Sequence, residues 1–293
     1  MKRISLSVIL LCLSFEMNFS ILNFNDSNIY AQIHSDSSSF SQEKKITSID
    51  LIKNDLSIAV DDGVRLVKAP LHYNSSDWLT LGSVLGGTAV AFLADKEIRN
   101  MALRNHSHSL DNITKIGKTY GEAYTGAILS GVVYAGGLFS GDNEIRETGR
   151  MLFETLAYAG IITTVAKSII GRSRPYTNEG AFRYRGFQFK TETTSLPSGH
   201  ATVAFAVSSV LASRIDNLYA SIGLYGLASL TVVQRIYDDK HWLSDTILGA
   251  SIATIVGKTI VHYGEKRDKQ DAKVFLYPSF SPMGNGFALQ VGL

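Results

Sequence analysis

The 293 residues contain one cysteine, Cys12. That excludes an intramolecular disulfide framework and a cysteine-rich metal site. A surplus of charge is missing as well: 28 Lys+Arg against 26 Asp+Glu leave a net charge of +2. A nucleic-acid binder advertised by bulk charge is therefore excluded, although a local basic cluster is not. No internal repeat and no second domain is visible, and the apolar segments lack the period-two alternation of an exposed sheet face. Hydrophobic residues, in contrast, make up 45% of the chain and aromatics 10%, against 18% charged. This is neither a disordered nor a collagen-like composition, and it implies a folded, core-forming protein.

The chain opens as an address. Lys2 and Arg3 precede an apolar run, and the small residue Ala31 closes the polar stretch that follows. This is the layout of a secretory signal over 1–31, cleaved after Ala31, with an uncleaved anchor as the alternative. Cys12 follows Leu11 rather than the small residue of a lipoprotein site. Residues 32–45 are Ser-rich and read as a flexible leader. Segment 46–77 reads as an N-terminal helix and linker, with Leu51, Ile52, Leu56, Ala59 and Val60 as its apolar face.

Six apolar segments follow, at 78–94, 123–139, 151–169, 201–214, 218–234 and 244–263. They predict helices that are apolar nearly all round and therefore buried, by protein or by lipid. Their charge-free stretches are marginal for crossing a bilayer. Those at 155–166, 201–213 and 246–257 fall short of the roughly 20 residues that a spanning helix needs. The stretch 123–141 is diluted by Gly126, Gly131, Gly136 and Gly137. The tail, 265–293, alternates and predicts a short β-hairpin turning over 284–286. The expected fold is thus all-α over 78–264, with an extra N-terminal helix and a C-terminal hairpin.

The local basic cluster lies at 167–190, where Lys167, Arg172, Arg174, Arg183, Arg185 and Lys190 face only Glu179 among acids. Lys167 ends an apolar helix, a costly place for an unpaired ammonium. If that helix continued, Arg174 would lie two turns on along the same face, with Pro175 as the stop. The two would then form a cationic clamp whose guanidinium suits phosphate oxygens. Further on, Leu196-Pro197-Ser198-Gly199-His200 runs into an apolar segment. Ser198 is a natural N-cap, and free N–H groups beside a glycine make an anion cradle with His200 at its edge. The third element is Arg235, then His241 and Asp245, four apart and so neighbours on a helix face. A carboxylate on one imidazole nitrogen fixes the tautomer and leaves the other free to attack.

Lys-x6-Arg-Pro, Pro-Ser-Gly-His and Arg-x5-His-x3-Asp, in that order, resemble the signature of the type 2 phosphatidic-acid phosphatase and vanadium haloperoxidase superfamily. The resemblance runs from about residue 78 to 264. One position departs from the pattern: the third motif usually begins Ser-Arg, and here Gln234 precedes Arg235. The resemblance implies a six-helix bundle core and a metal-independent phosphatase. Its substrate would be a phosphorylated small molecule or a lipid phosphate such as phosphatidate or a polyprenyl diphosphate. Lys167, Arg174 and Arg235 would bind the phosphoryl oxygens, with Ser198 and the Gly199 N–H completing the cradle. His241, oriented by Asp245, would form a phosphohistidine, and His200 would protonate the leaving oxygen and then activate water. No metal or other cofactor is implied; vanadate would inhibit. The alternatives are a haloperoxidase using vanadate as cofactor and a non-catalytic anion-binding envelope protein. His106 and His108 read as part of a polar loop rather than a metal site.

Location is argued from the same features. A signal at 1–31 with six spanning segments would put the catalytic loops in the cytoplasm. The marginal apolar stretches favour instead an exported helical bundle, periplasmic or in the cell envelope, with possible membrane association; the alternative is an integral membrane protein. No nucleic-acid partner is expected.

Overall fold

A computed structural model describes residues 47–271, 273–281 and 284–292. The signal and leader expected at 1–45 lie outside the described residues. Helix α1 spans Ser48–Lys68, opened by a capping box between Thr47 and Asp50. Helix α2 spans Ser75–Arg104, capped the same way by Asn74 and Asp77. Then come α3 (His108–Tyr120), α4 (Ala123–Ser140) and α5 (Asn143–Ile170). After an irregular stretch follow α6 (Gly199–Ile215), α7 (Leu218–Tyr237) and α8 (Leu243–Asp271). Each of the six expected apolar segments lies within one of these helices.

Helix α3 falls between the expected segments 78–94 and 123–139, where no helix is anticipated. Its apolar residues Leu110, Ile113 and Ile116 are exposed. Its packing face is small and polar: Thr231 Oγ1 donates to the Gly117 carbonyl at 2.7 Å, and a Cβ on Gly117 would fall 2.5 Å from Leu230 backbone. His108 is the first residue of this helix rather than part of a loop.

At the centre stands α6. Ala201, Ala204, Phe205, Val207 and Val210 are all buried, against Met151 and Leu152 of α5, Ala253 and Ile260 of α8, and Ala228 of α7. This helix is apolar all round because neighbours cover every side. Helices α2, α4 and α5 are apolar for another reason. They turn large apolar side chains outward, among them Leu79, Leu93, Ile128, Phe139 and Ile161. Protein therefore does not bury those faces. Among the described residues, four helices are long and apolar enough to cross a membrane: Ser75–Arg104, Ala123–Ser140, Asn143–Ile170 and Leu243–Asp268. The stretches 155–166 and 246–257 lie in two of these, α5 and α8, whereas 201–213 lies in α6, which is not among them.

Helix α1 is inverted relative to expectation. Ile52, Leu56 and Val60 are exposed, and Asp55 and Asp62 are the buried residues. Asp55 pairs with Arg146 at 3.1 Å, and Arg267 donates to Asp62 at 2.6 Å. Buried carboxylates must be paired, so the arginines of α5 and α8 decide which face of α1 docks.

Strands Lys273–Ser281 (β1) and Gly284–Gly292 (β2) pair antiparallel in a continuous register from Lys273↔Gly292 to Ser281↔Gly284. The reversal thus precedes the expected position, and residues 284–286 open β2. A two-residue connection is the commonest hairpin loop.

Candidate active site

The site forms where the ends of α5 and α7 meet the starts of α6 and α8. Helix α5 stops at Gly171, which takes a left-handed conformation (φ 64) and donates its N–H to the Lys167 carbonyl. Glycine adopts this conformation without a Cβ penalty. Arg174 therefore does not ride two turns up a continuous helix, as the spacing suggested. It sits in extended backbone (φ −75, ψ 155), its N–H donating to the Glu192 carbonyl at 2.9 Å. Lys167 Nζ reaches across to the carbonyls of Thr194 and Ser195 at 2.9 and 3.3 Å. Its Cε lies 3.8 Å from where a Cβ on Gly199 would stand, so lysine and helix start are neighbours.

Ser198 is the N-cap of α6, accepting from the Ala201 N–H, and Gly199 and His200 form its first turn. The Ser198 N–H donates to the Asp245 carbonyl at 2.8 Å, which ties the starts of α6 and α8 together. Gly249 permits this approach: a Cβ there would fall 2.5 Å from the Ser198 carbonyl oxygen.

His241 and Asp245 also meet differently from the expected helix-face pair. Helix α8 begins at Leu243, so His241 precedes it. Asp245, in the first turn, accepts from the Trp242 N–H at 2.9 Å, the reach-back of a capping box. Its Oδ2 lies 3.4 Å from His241 Nδ1 and accepts from Ser195 Oγ at 2.5 Å. The His241 side chain is almost fully buried. Burial above all holds its imidazole well below the ordinary value, against the pull of Asp245 and with the charge of Lys167 adding to the effect. His241 is thus a neutral base near pH 7.

Three cations, Lys167, Arg174 and Arg235, stand close, and none is in a direct ion pair among the described residues. Arg235, at the end of α7, is pulled down to about 10 by burial and by the neighbouring charge of Arg174. Burial lowers Arg174 too. The Nε atoms of both are buried without a hydrogen-bond acceptor among the described residues. Gln234, the position that departs from the family pattern, accepts from Arg235 Nη1 at 3.3 Å and donates to Asp238 at 2.5 Å. His200 Nε2 lies 3.3 Å from Glu122 Oε1. Burial and Arg235 lower its pKa, while Glu122 pulls the other way. Lys167, Arg174, Ser198, Gly199, His200, Arg235, His241 and Asp245 are therefore all gathered in one region.

Three participants escaped the sequence. Arg172, wholly buried, donates to Asp245 Oδ1 at 2.5 Å, to Ser244 Oγ at 2.7 Å and to Asp95 Oδ2 at 2.6 Å. Asp95, on α2, also accepts from the Ser244 N–H at 2.9 Å and its hydroxyl at 2.6 Å. Glu122, just before α4, is the third. Asp95 and Glu122 lie far from the motifs in sequence, and nothing in their flanks marks them. Arg172 stood in the basic cluster without a role. No group of three His, Cys, Asp or Glu among the described residues is placed to hold a metal ion.

Residues 149–269 match the model of the PAP2 superfamily. Over 115 residues the chain is 30% identical to a lipid A 1-phosphatase of Porphyromonas gingivalis, covering 38% of this chain and 23% of that protein. Over 106 residues it is 28% identical to a lipid A 1-phosphatase of Rhizobium etli, covering 34% of this chain and 44% of that one. The chain thus matches less than half the length of either relative. Among solved structures, it resembles a transmembrane PAP2 type phosphatidylglycerolphosphate phosphatase from Bacillus subtilis. That likeness has a TM-score of 0.49 at 19% identity and covers 75% of this chain and 96% of that one. Aquifex aeolicus LpxE is also similar, with a TM-score of 0.46 at 20% identity, covering 58% of this chain and 95% of that one.

Proposed function

We propose, from the premise that residues 149–269 are of the PAP2 superfamily, that this chain is a membrane-embedded phosphatase acting on a lipid phosphate through a phosphohistidine. The observation that carries the proposal is the cluster of half-buried Lys167 and Arg174 with buried Arg235, beside a neutral imidazole. Crowded cations with unfilled donors are costly unless an anion joins them. A phosphoryl group has the charge and the oxygens to fill them.

The chemistry follows from the geometry. The three cations and the N–H groups at the start of α6 bind the phosphoryl oxygens and neutralise charge that grows in the transition state. The Nδ1–H of His241 points to the Asp245 carboxylate, which leaves the Nε2 lone pair for phosphorus. An N–P bond forms as the bond to the leaving oxygen breaks, and His200 gives that oxygen its proton. His200 then takes a proton from water, whose oxygen attacks phosphorus; the N–P bond breaks and phosphate leaves. The lipid substrate is supported by the outward apolar faces of α2, α4 and α5, and by the lipid A 1-phosphatases among the relatives.

The test is phosphate release by the purified full chain, from phosphatidate in mixed micelles and from p-nitrophenyl phosphate. Release abolished by His241→Ala is the expected result. Bromide oxidation dependent on added vanadate, without phosphate release, contradicts the proposal.

A further inference from the structure

The segment 178–190, bonded to Arg172 and Ser173 beside the site, carries three bare aromatic side chains. Phe182, Phe187 and Phe189 are 68%, 77% and 86% exposed. Arg183 and Lys190 among them are exposed too. The mechanism uses none of these five.

The segment is nevertheless firmly built. It runs back along the chain that links Lys167 to Arg174. Ser173 donates to the Arg183 carbonyl at 3.0 Å and Arg185 to that of Gly171 at 2.9 Å. Phe187 donates to Ile169 at 3.2 Å and Gln188 to Ser168 at 2.8 Å. Phe187 holds a left-handed backbone (φ 44), unusual for a bulky residue.

Two apolar stretches end at the level of this segment. The charge-free part of α2 ends at Asp95, which Arg172 binds at 2.6 Å. That of α5 ends at Lys167, which binds the Ser195 carbonyl at 3.3 Å. Both candidate spans therefore lose their apolar character beside the site. Phe182 stacks on Phe92 of α2 at 6.2 Å, and Phe187 is bonded to Ile169 of α5. The outward residues next to these, Leu93 and Val165, are exposed as well. The three phenylalanines thus continue the outward apolar surface of α2 and α5 up to the mouth of the site.

We infer that segment 178–190 is a docking surface for the headgroup layer of an anionic bilayer: the phenylalanines enter it while Arg183 and Lys190 attract its phosphates. Aromatic side chains favour the membrane–water interface, and each basic residue near an anionic surface strengthens binding by about fivefold. A segment so seated holds the cation cluster at the level where lipid phosphates lie. This inference rests on the proposed function and names its substrate as a lipid within the bilayer.

The experiment uses the full chain in nanodiscs of phosphatidylcholine and phosphatidylglycerol. A spin label at Phe187→Cys, with Cys12→Ser, is expected to meet oxygen more often than a water-soluble nickel chelate; the reverse order overturns the inference. In a second arm, Phe187→Ser with Phe189→Ser is expected to lower kcat/KM for bilayer phosphatidate about tenfold or more. Its rate on p-nitrophenyl phosphate should match wild type. Equal loss on both substrates, or loss on neither, overturns the inference. If the wild-type chain hydrolyses neither substrate, the phosphatase reading falls, and the spin label still decides where the segment sits.

Discussion

Arg172 binds Asp95 and Asp245 at once, Nη2 to the first at 2.6 Å and Nη1 to the second at 2.5 Å, with all three side chains fully buried. Asp245 also faces His241. The orientation of the imidazole therefore depends on a carboxylate of α2, outside residues 149–269.

Loss of that anchor should affect turnover more than binding. Asp95→Asn keeps an acceptor for Ser244 but loses the ion pair with Arg172. We expect kcat to fall by up to about a hundredfold with KM little changed. Asp95→Ala, which strips Arg172 of a buried partner, should also cost about 3–5 kcal/mol of stability. Steady-state kinetics and thermal unfolding in detergent check both; unchanged kcat in Asp95→Asn contradicts the coupling.

The cationic cluster predicts a rate effect with a shape requirement. Arg174→Ala and Arg235→Ala should each lower kcat/KM about a hundredfold or more. Arg235→Lys keeps the charge but loses the planar fork, and should recover only part of the loss. Inhibition by vanadate should weaken in the same order, read from inhibition curves on each variant.

His200 sets the pH dependence. A general acid must carry its proton, so kcat/KM falls as pH rises through the His200 pKa of the free enzyme. Burial and Arg235 place that pKa below 6.5, and Glu122 raises it. Glu122→Gln removes the raising partner, so the falling limb should move to lower pH. A limb that stays in place, or moves to higher pH, separates Glu122 from the proton transfer. His241, lowered well below 6.5 by burial, adds no acid limb near neutrality.

Gly249 tests the join between α6 and α8. A Cβ there would meet the Ser198 carbonyl oxygen at 2.5 Å, and backbone cannot swing aside as a side chain can. Gly249→Ala should cost about 1–3 kcal/mol and lower activity by parting Ser198 from Asp245. A variant with wild-type melting temperature and rate contradicts this packing.

What the sequence made legible was local chemistry. Ser198 could be read as a cap because Pro197 and an apolar run flank it, and the cations and histidines stood out by type and spacing. Long-range partners left no such trace: Asp95 and Glu122 acquire meaning only when α2 and the start of α4 come to rest beside the site. The docking face of α1 was misread for a physical reason. Apolar periodicity marks the face that avoids water, which is the inner face only when water surrounds the protein. Ile52 and Leu56 on α1 are exposed, whereas Asp55 and Asp62 are buried. Gly171 ended α5 earlier than the Lys167–Arg174 spacing implied, yet both cations still reach the same region.

The central claim is that His241 attacks phosphorus, and rapid acid-free quenching with a 32P-labelled lipid phosphate tests it directly. The account predicts a transient phosphoprotein, stable to base and labile to acid, with the label on His241 and no label or turnover in His241→Ala. Turnover by His241→Ala at the wild-type rate, or a label on another residue, would contradict it.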